Sequence, residues 1–114
     1  PTPSNTYGKI TASTSTIKVG GSYKTLTLKL YDADNNEITD TTIADLTRND
    51  FVWTCSCDGI DLTNSDKVTW LSGSGINQAK IKFADDRSYL NKILVIKCVV
   101  DGIETIEEFE LIGT

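Results

Sequence analysis

The chain has 114 residues, a formal charge of −5, 39% hydrophobic residues, three cysteines and no histidine. A chain of this length can bury roughly 65% of its unfolded surface around one core, and no apolar run approaches the ~18 residues a transmembrane helix needs. Net negative charge disfavours nucleic acid, whose phosphates attract Lys and Arg, and the lack of histidine removes the commonest general base and zinc ligand.

Residues 1–8 are polar and aperiodic and read as a linker, leaving 9–114 as one domain. Pro1 to Ser4 shows no secretion signal. The chain contains no methionine, so it reads as a domain cut from a longer protein. Lys9–Ser13 and Ile17–Val19 are expected to form one interrupted edge strand, which Gly20-Gly21-Ser22 ends. Tyr23 to Asp32 is the clearest strand. Leu26, Leu28 and Leu30 share one face, and Thr25, Thr27 and Lys29 the other, the period of a half-buried sheet. Asp32 to Asn36 is a turn by composition. Ile38 to Asn49 suits a short helical turn or an irregular crossover.

Alternation returns at Phe51-Val52-Trp53-Thr54-Cys55, with Phe51, Trp53 and Cys55 on one face. Asp58-Gly59 and Asn64-Ser65 bracket a turn-rich stretch before the short apolar run Val68–Leu71. Ser72 to Gly75 is a flexible connection. Gln78–Ala84 alternates with Ala79, Ile81 and Phe83 inward. Lys92 to Asp101 is nearly continuous apolar and β-branched, which suits a central strand or one beside an interface. Its inward set includes Leu94, Ile96 and Cys98. Asp101-Gly102 is a hairpin signal, and Ile103 to Ile112 is the last strand, kept wet by Glu104, Glu107, Glu108 and Glu110. About seven strands with a turn every ten residues or so predict an all-β sandwich or barrel. There is no βα alternation, so a parallel sheet is not expected.

Four features invite a chemical reading. Asp32, Asp34 and Asn36 have the one-three-five spacing of a calcium loop, but Glu37 stands where that loop needs Gly, and Ile43 where it needs a bidentate Glu. An ordinary polar turn is therefore expected, and no cofactor. Cys55 and Cys57 would share one strand face with alpha carbons roughly 6.5–7 Å apart, at the edge of disulfide reach. Reduced thiols are expected, with Cys55–Cys98 the more sensible pair if any forms. Asp85-Asp86 points its carboxylates opposite ways if extended, so it reads as a solvated loop rather than an acid/base pair. Tyr31 and Trp70 are the candidate binding residues, because exposed aromatics on a sandwich face can stack on sugar rings.

The order of elements carries a resemblance. A Leu-alternating strand leads to an Asp-Ala-Asp-Asn-Asn-Glu turn and a strand centred on Trp53. A Gly/Ser loop, the Ala79–Phe83 strand and the Ile93–Gly102 hairpin follow. Together with Lys18-Val19-Gly20-Gly21-Ser22, this resembles bacterial and phage immunoglobulin-like domains, the group that includes invasin-type and intimin-type repeats, over residues 9–112. The resemblance implies an immunoglobulin-like β-sandwich of about seven antiparallel strands in two sheets. Trp53 would fill the core between them. Cys98 occupies the sixth-strand cysteine place, but Leu28 stands on the second strand, so the antibody-type disulfide is not expected. The implied role is a non-catalytic structural or decoration module of a phage tail or minor structural protein, or of a prophage-encoded protein, outside the cell on a virion or bacterial surface. Its partners would be neighbouring domains of the same parent chain. The alternative is an adhesive module of a bacterial surface protein that binds host glycan or protein.

Overall fold

Period-2 alternation along the strands gives each sheet one apolar face, and the two faces close on each other. The computed structural model describes residues 6–113. Its strands are β1 (Tyr7–Thr11), β2 (Thr16–Lys18), β3 (Lys24–Tyr31), β4 (Val52–Cys57), β5 (Ile60–Asp61), β6 (Val68–Ser72), β7 (Gln78–Phe83), β8 (Ile93–Val100) and β9 (Ile103–Ile112). One sheet has the order β1-β3-β7-β6 and the other β2-β9-β8-β4-β5. A short helix, α1 (Thr39–Ile43), and a 3-10 turn at Arg48–Asp50 occupy the irregular stretch between β3 and β4.

Three sequence expectations change here. The strand count rises from about seven to nine among the described residues, because the expected edge strand is two strands and β5, of two residues, is too short to leave a periodic signal. The supposed interrupted edge strand is two strands in different sheets: β1 pairs antiparallel with β3, and β2 pairs with β9. The chain crosses between layers at 12–15 without reversing, so β2 meets a neighbour running its own way and the pairing is parallel, not antiparallel. The first strand also starts at Tyr7 rather than after Gly8, so 7–8 are sheet and not linker; residues 1–5 of the expected linker lie outside the described residues.

Gly8 explains the hidden start. A Cβ there would lie 2.1 Å from the Thr105 hydroxyl oxygen on β9, so β1 can pass across the end of β9 only with a bare backbone. The Thr105 hydroxyl is itself buried without a hydrogen-bond partner among the described residues.

The connections follow their residues. Asp101 (φ 49°) and Gly102 (φ 75°) both take positive φ, the two-residue turn whose twist suits a hairpin, and they join Val100 to Ile103 across β8 and β9. Asp58 (φ 53°) and Gly59 (φ 78°) make the same turn between β4 and β5. After β3, the chain folds back to cover a length of strand that β7 does not reach. The Leu30 amide donates to the Thr39 hydroxyl at 2.9 Å, and Asn77 satisfies Leu28 through both its carbonyl and its side-chain amide.

The inner faces form one cluster. Leu26, Leu28 and Leu30 of β3, Ile81 and Phe83 of β7, and Leu94, Ile96 and Cys98 of β8 are all fully buried. Phe109 and Leu111 of β9 complete the centre. Trp53 departs from expectation. It points inward from β4 but is only half-buried and packs against the margin of the cluster. The reason is lateral position: β4 is next to the sheet edge, and its first residues lie beyond the cover that β5 provides. Phe83 is the larger contributor at the centre. Phe83→Ala is expected to cost about 3–5 kcal/mol in urea unfolding, and Trp53→Ala clearly less; equal losses would contradict the marginal place of Trp53.

Candidate functional site

On one flank β6 ends one layer, and β4 and β5 end the other. A groove of about 300 Å³ opens there, with Trp53 and Trp70 among its walls, Phe51 beneath and Arg48 at the rim. Each side chain arrives for a local reason. Phe51 and Trp53 alternate inward along the approach to β4, and Trp70 alternates inward on β6 between Val68 and Ser72. The Trp70 ring nitrogen donates to the Thr63 carbonyl at 3.0 Å, which fixes the indole against the loop between β5 and β6. Arg48 is set by the 3-10 turn, where Thr47 and Asp50 cap each other, and it donates to the Gly75 carbonyl at 3.0 Å. Sequence reading singled out Trp70 but missed Arg48 and Phe51 as its neighbours. Their meeting depends on the crossover between β3 and β4, which carries no periodic signal.

Tyr31 is elsewhere. It lies on the outward face of β3, stacked on Tyr7 at 5.5 Å between ring centroids, with the Lys9 ammonium 5.4 Å from its ring. Trp70 faces inward, and β3 and β6 are separated by β7. Trp70 stands level with Ile81 and hence with Lys24, seven residues from Tyr31 along β3, which is roughly 23 Å at the rise of a strand. The two candidate binding residues therefore do not share a site.

The outward face of β8 accounts for its apolar text on that side. Ile93, Val95 and Val99 stand there with Lys97, beside Val52 of β4 and Ile106 of β9, both 54% exposed. Glu104, Glu108 and Glu110 fringe this face along β9. β8 is central in its sheet, as expected, but its outward face is partly exposed rather than covered by a further layer of the described residues.

The reactive groups are quiet. All three cysteines are buried and free. Desolvation pushes the Cys55 and Cys98 thiols up to about 12, and burial also raises Cys57. Cys55 pairs with Ile96, and Cys98 with Trp53, so Cys55 and Cys98 are diagonal neighbours on adjacent strands of one sheet. Diagonal neighbours sit roughly 7–8 Å apart, beyond ordinary disulfide span.

The calcium candidate is a self-satisfied turn. One Asp32 carboxylate oxygen accepts the amides of Asp34 (2.9 Å) and Asn36 (3.0 Å). The Asn36 side-chain amide turns its donor end toward the other oxygen at 3.4 Å. The Asn36 backbone amide holds the Asp32 carboxyl below its usual value against an opposing desolvation, with lesser help from the Asp34 amide and the Asn36 side chain. Among the described residues, no three His, Cys, Asp or Glu side chains lie close enough to hold a metal. Asp86 is likewise committed: the Ser88 hydroxyl, then the Lys67 ammonium at 2.9 Å, lower it to about 2.

Comparison with protein-family profiles and with curated protein sequences returns no match. Among solved structures, the chain is similar to titin M4 in its trigonal form, with a TM-score of 0.56 over 94% of this chain and 95% of that one, at 13% identity. At that identity the likeness speaks to fold alone. The fold is an immunoglobulin-like β-sandwich in two sheets.

Two solution measurements follow from these side chains. Calcium at millimolar concentration should leave the melting temperature unchanged, since a ligand of the folded state must raise it; a rise of several degrees would restore Asp32, Asp34 and Asn36 as ligands. Asp86 has a folded value below its ordinary 3.8, so its stabilisation is complete above about pH 4 and is lost as pH falls toward 2. Melting temperature should therefore drop across that window. Asp86→Asn should lower it at pH 7 and flatten the drop; an unchanged acid profile would show that Asp86 does not carry it.

Proposed function

We propose that this chain is a non-catalytic structural module, an in-line spacer or decoration domain in a phage tail or minor structural protein, a prophage-encoded protein or a bacterial surface protein. One observation carries the reading. β1 and β9 run in the same direction, so β1 starts at the pole where β9 starts, and β9 finishes at the opposite pole, beside β2. A chain threaded this way enters at one end of a body 43 Å long and leaves at the other. Neighbouring domains of the same parent chain are thereby set in a line rather than side by side. The burial of all three thiols and the lack of histidine support a role without catalysis. The phage and bacterial assignment is supported by the resemblance of the Trp53 strand and the Ile93–Gly102 hairpin to such domains.

A second reading, an adhesive module on the outside of a virion or bacterium, is favoured by the groove beside Trp70. Two copies joined end to end should show a maximum dimension in small-angle scattering close to twice that of one copy. A value near that of a single copy would sink the in-line reading. Glycan arrays and whole-cell capture are expected to be blank; binding that disappears in a folded Trp70→Ala protein would move the assignment to the adhesive reading.

A further inference from the structure

We propose that the groove beside Trp53 and Trp70 docks an extended peptide segment, which adds to the open edge of β6, seats a bulky apolar side chain between the indoles and turns an acidic residue toward Arg48. This stands independently of the spacer reading.

The strand edge is the first observation. The Ala84 amide donates to the Lys67 carbonyl at 2.8 Å, and the Gly73 amide to the Gln78 carbonyl at 3.3 Å, just beyond either end of β6. Antiparallel bonding alternates every second residue, so Thr69 and Leu71 also direct their backbone groups at β7. Trp70 and Ser72 direct theirs away from it, and β6 is the last strand of its sheet. Nearer the start of β6 the edge is closed, because the Val68 amide bonds to Ser65 and the Trp70 ring to Thr63. Across the groove, the loop after β5 covers β4 at Cys55 through Leu62 and Thr63, and not at Val52 or Trp53. Among the described residues, two uncovered strand edges thus flank one aromatic slot. Exposed backbone of this kind recruits an extended chain by main-chain hydrogen bonds, with side-chain pockets giving selectivity.

Charge and polarity select the occupant. Arg48 forms no salt bridge among the described residues, in a chain whose net charge is −5. Among the described residues it is the one cation lining the groove, and it favours a carboxylate there. The groove offers a sugar little else. Gln78 is spent on Ser74, Gly75 and Thr27. The free polar partners are mostly backbone, which suits a peptide rather than a glycan. At about 300 Å³ the slot fits one large side chain.

The test is to pan a displayed random-peptide library on the protein and map the enriched peptides by amide chemical shifts. Enriched peptides should combine an acidic residue with an aromatic or large aliphatic one, and should shift the amides of Trp70 and Ser72. Arg48→Gln should weaken them at least fivefold. Ser72→Pro, which removes an outward-pointing donor without touching the β7 ladder, should weaken them as much while the melting temperature holds. Trp70→Ala should abolish binding, with far-ultraviolet dichroism reporting its fold. No enrichment over the Trp70→Ala protein would overturn the proposal. So would peptides indifferent to Arg48→Gln and Ser72→Pro, or an acidic oligosaccharide that shifts the groove amides when peptides do not.

Discussion

The apolar seam between β3 and β8 is the contact on which the other features depend. Leu26, Leu28 and Leu30 face Leu94, Ile96 and Cys98 across the sandwich, with Ile81, Phe83, Phe109 and Leu111 on either side. Removing each large apolar side chain from water is worth roughly 1.5–3 kcal/mol, and conformational entropy offsets most of that sum. The seam lies at the middle of both sheets, so the fully buried side chains gather at the centre and the partly buried Trp53 and Trp70 stand at its margin. The groove by Trp53 and Trp70 opens at that margin. The thiols belong to the seam and its margin, and their inertness follows from the same exclusion of water that holds the sheets.

How much of this was legible in the sequence depended on whether one residue's neighbours lay in its own strand. The Leu26–Leu30 alternation, the Gln78–Phe83 strand and the Asp101-Gly102 turn are local signals, and each gives the corresponding element in the structure. Trp53 was harder. Its alternation predicts the inward face, and it does face inward; its burial depends on what stands beside β4, which β5 decides from two residues, Ile60 and Asp61. The extended stretch at Ile17–Val19 was legible, but its place in the second sheet was not, for a related reason. Three residues cannot show a period, and their partner Glu110 to Ile112 lies at the far end of the chain.

The candidate site divides along the same line. Trp70 could be named from its residue type, and the turn at Asp32 could be recognised as a turn. That Tyr31 points outward and Trp70 inward follows from strand alternation, but their separation follows from β7 standing between β3 and β6. Arg48 gave no signal at all. Its side chain reaches the groove because a 3-10 turn closed by Thr47 and Asp50 aims it at Gly75, twenty-seven residues away in sequence.

The parallel pairing of β2 with β9 has a mechanical consequence. Opposed pull on the start of β1 and the end of β9 drags β2 and β9 past one another along their length. The bonds from Thr16 to Val19 against Glu110 to Ile112 run across that direction. They are loaded together, as a lap joint is, instead of opening singly from one end as a zipper does. The short strand whose partner could not be read from the sequence thus sits where an opposed pull on the two poles would be resisted in shear.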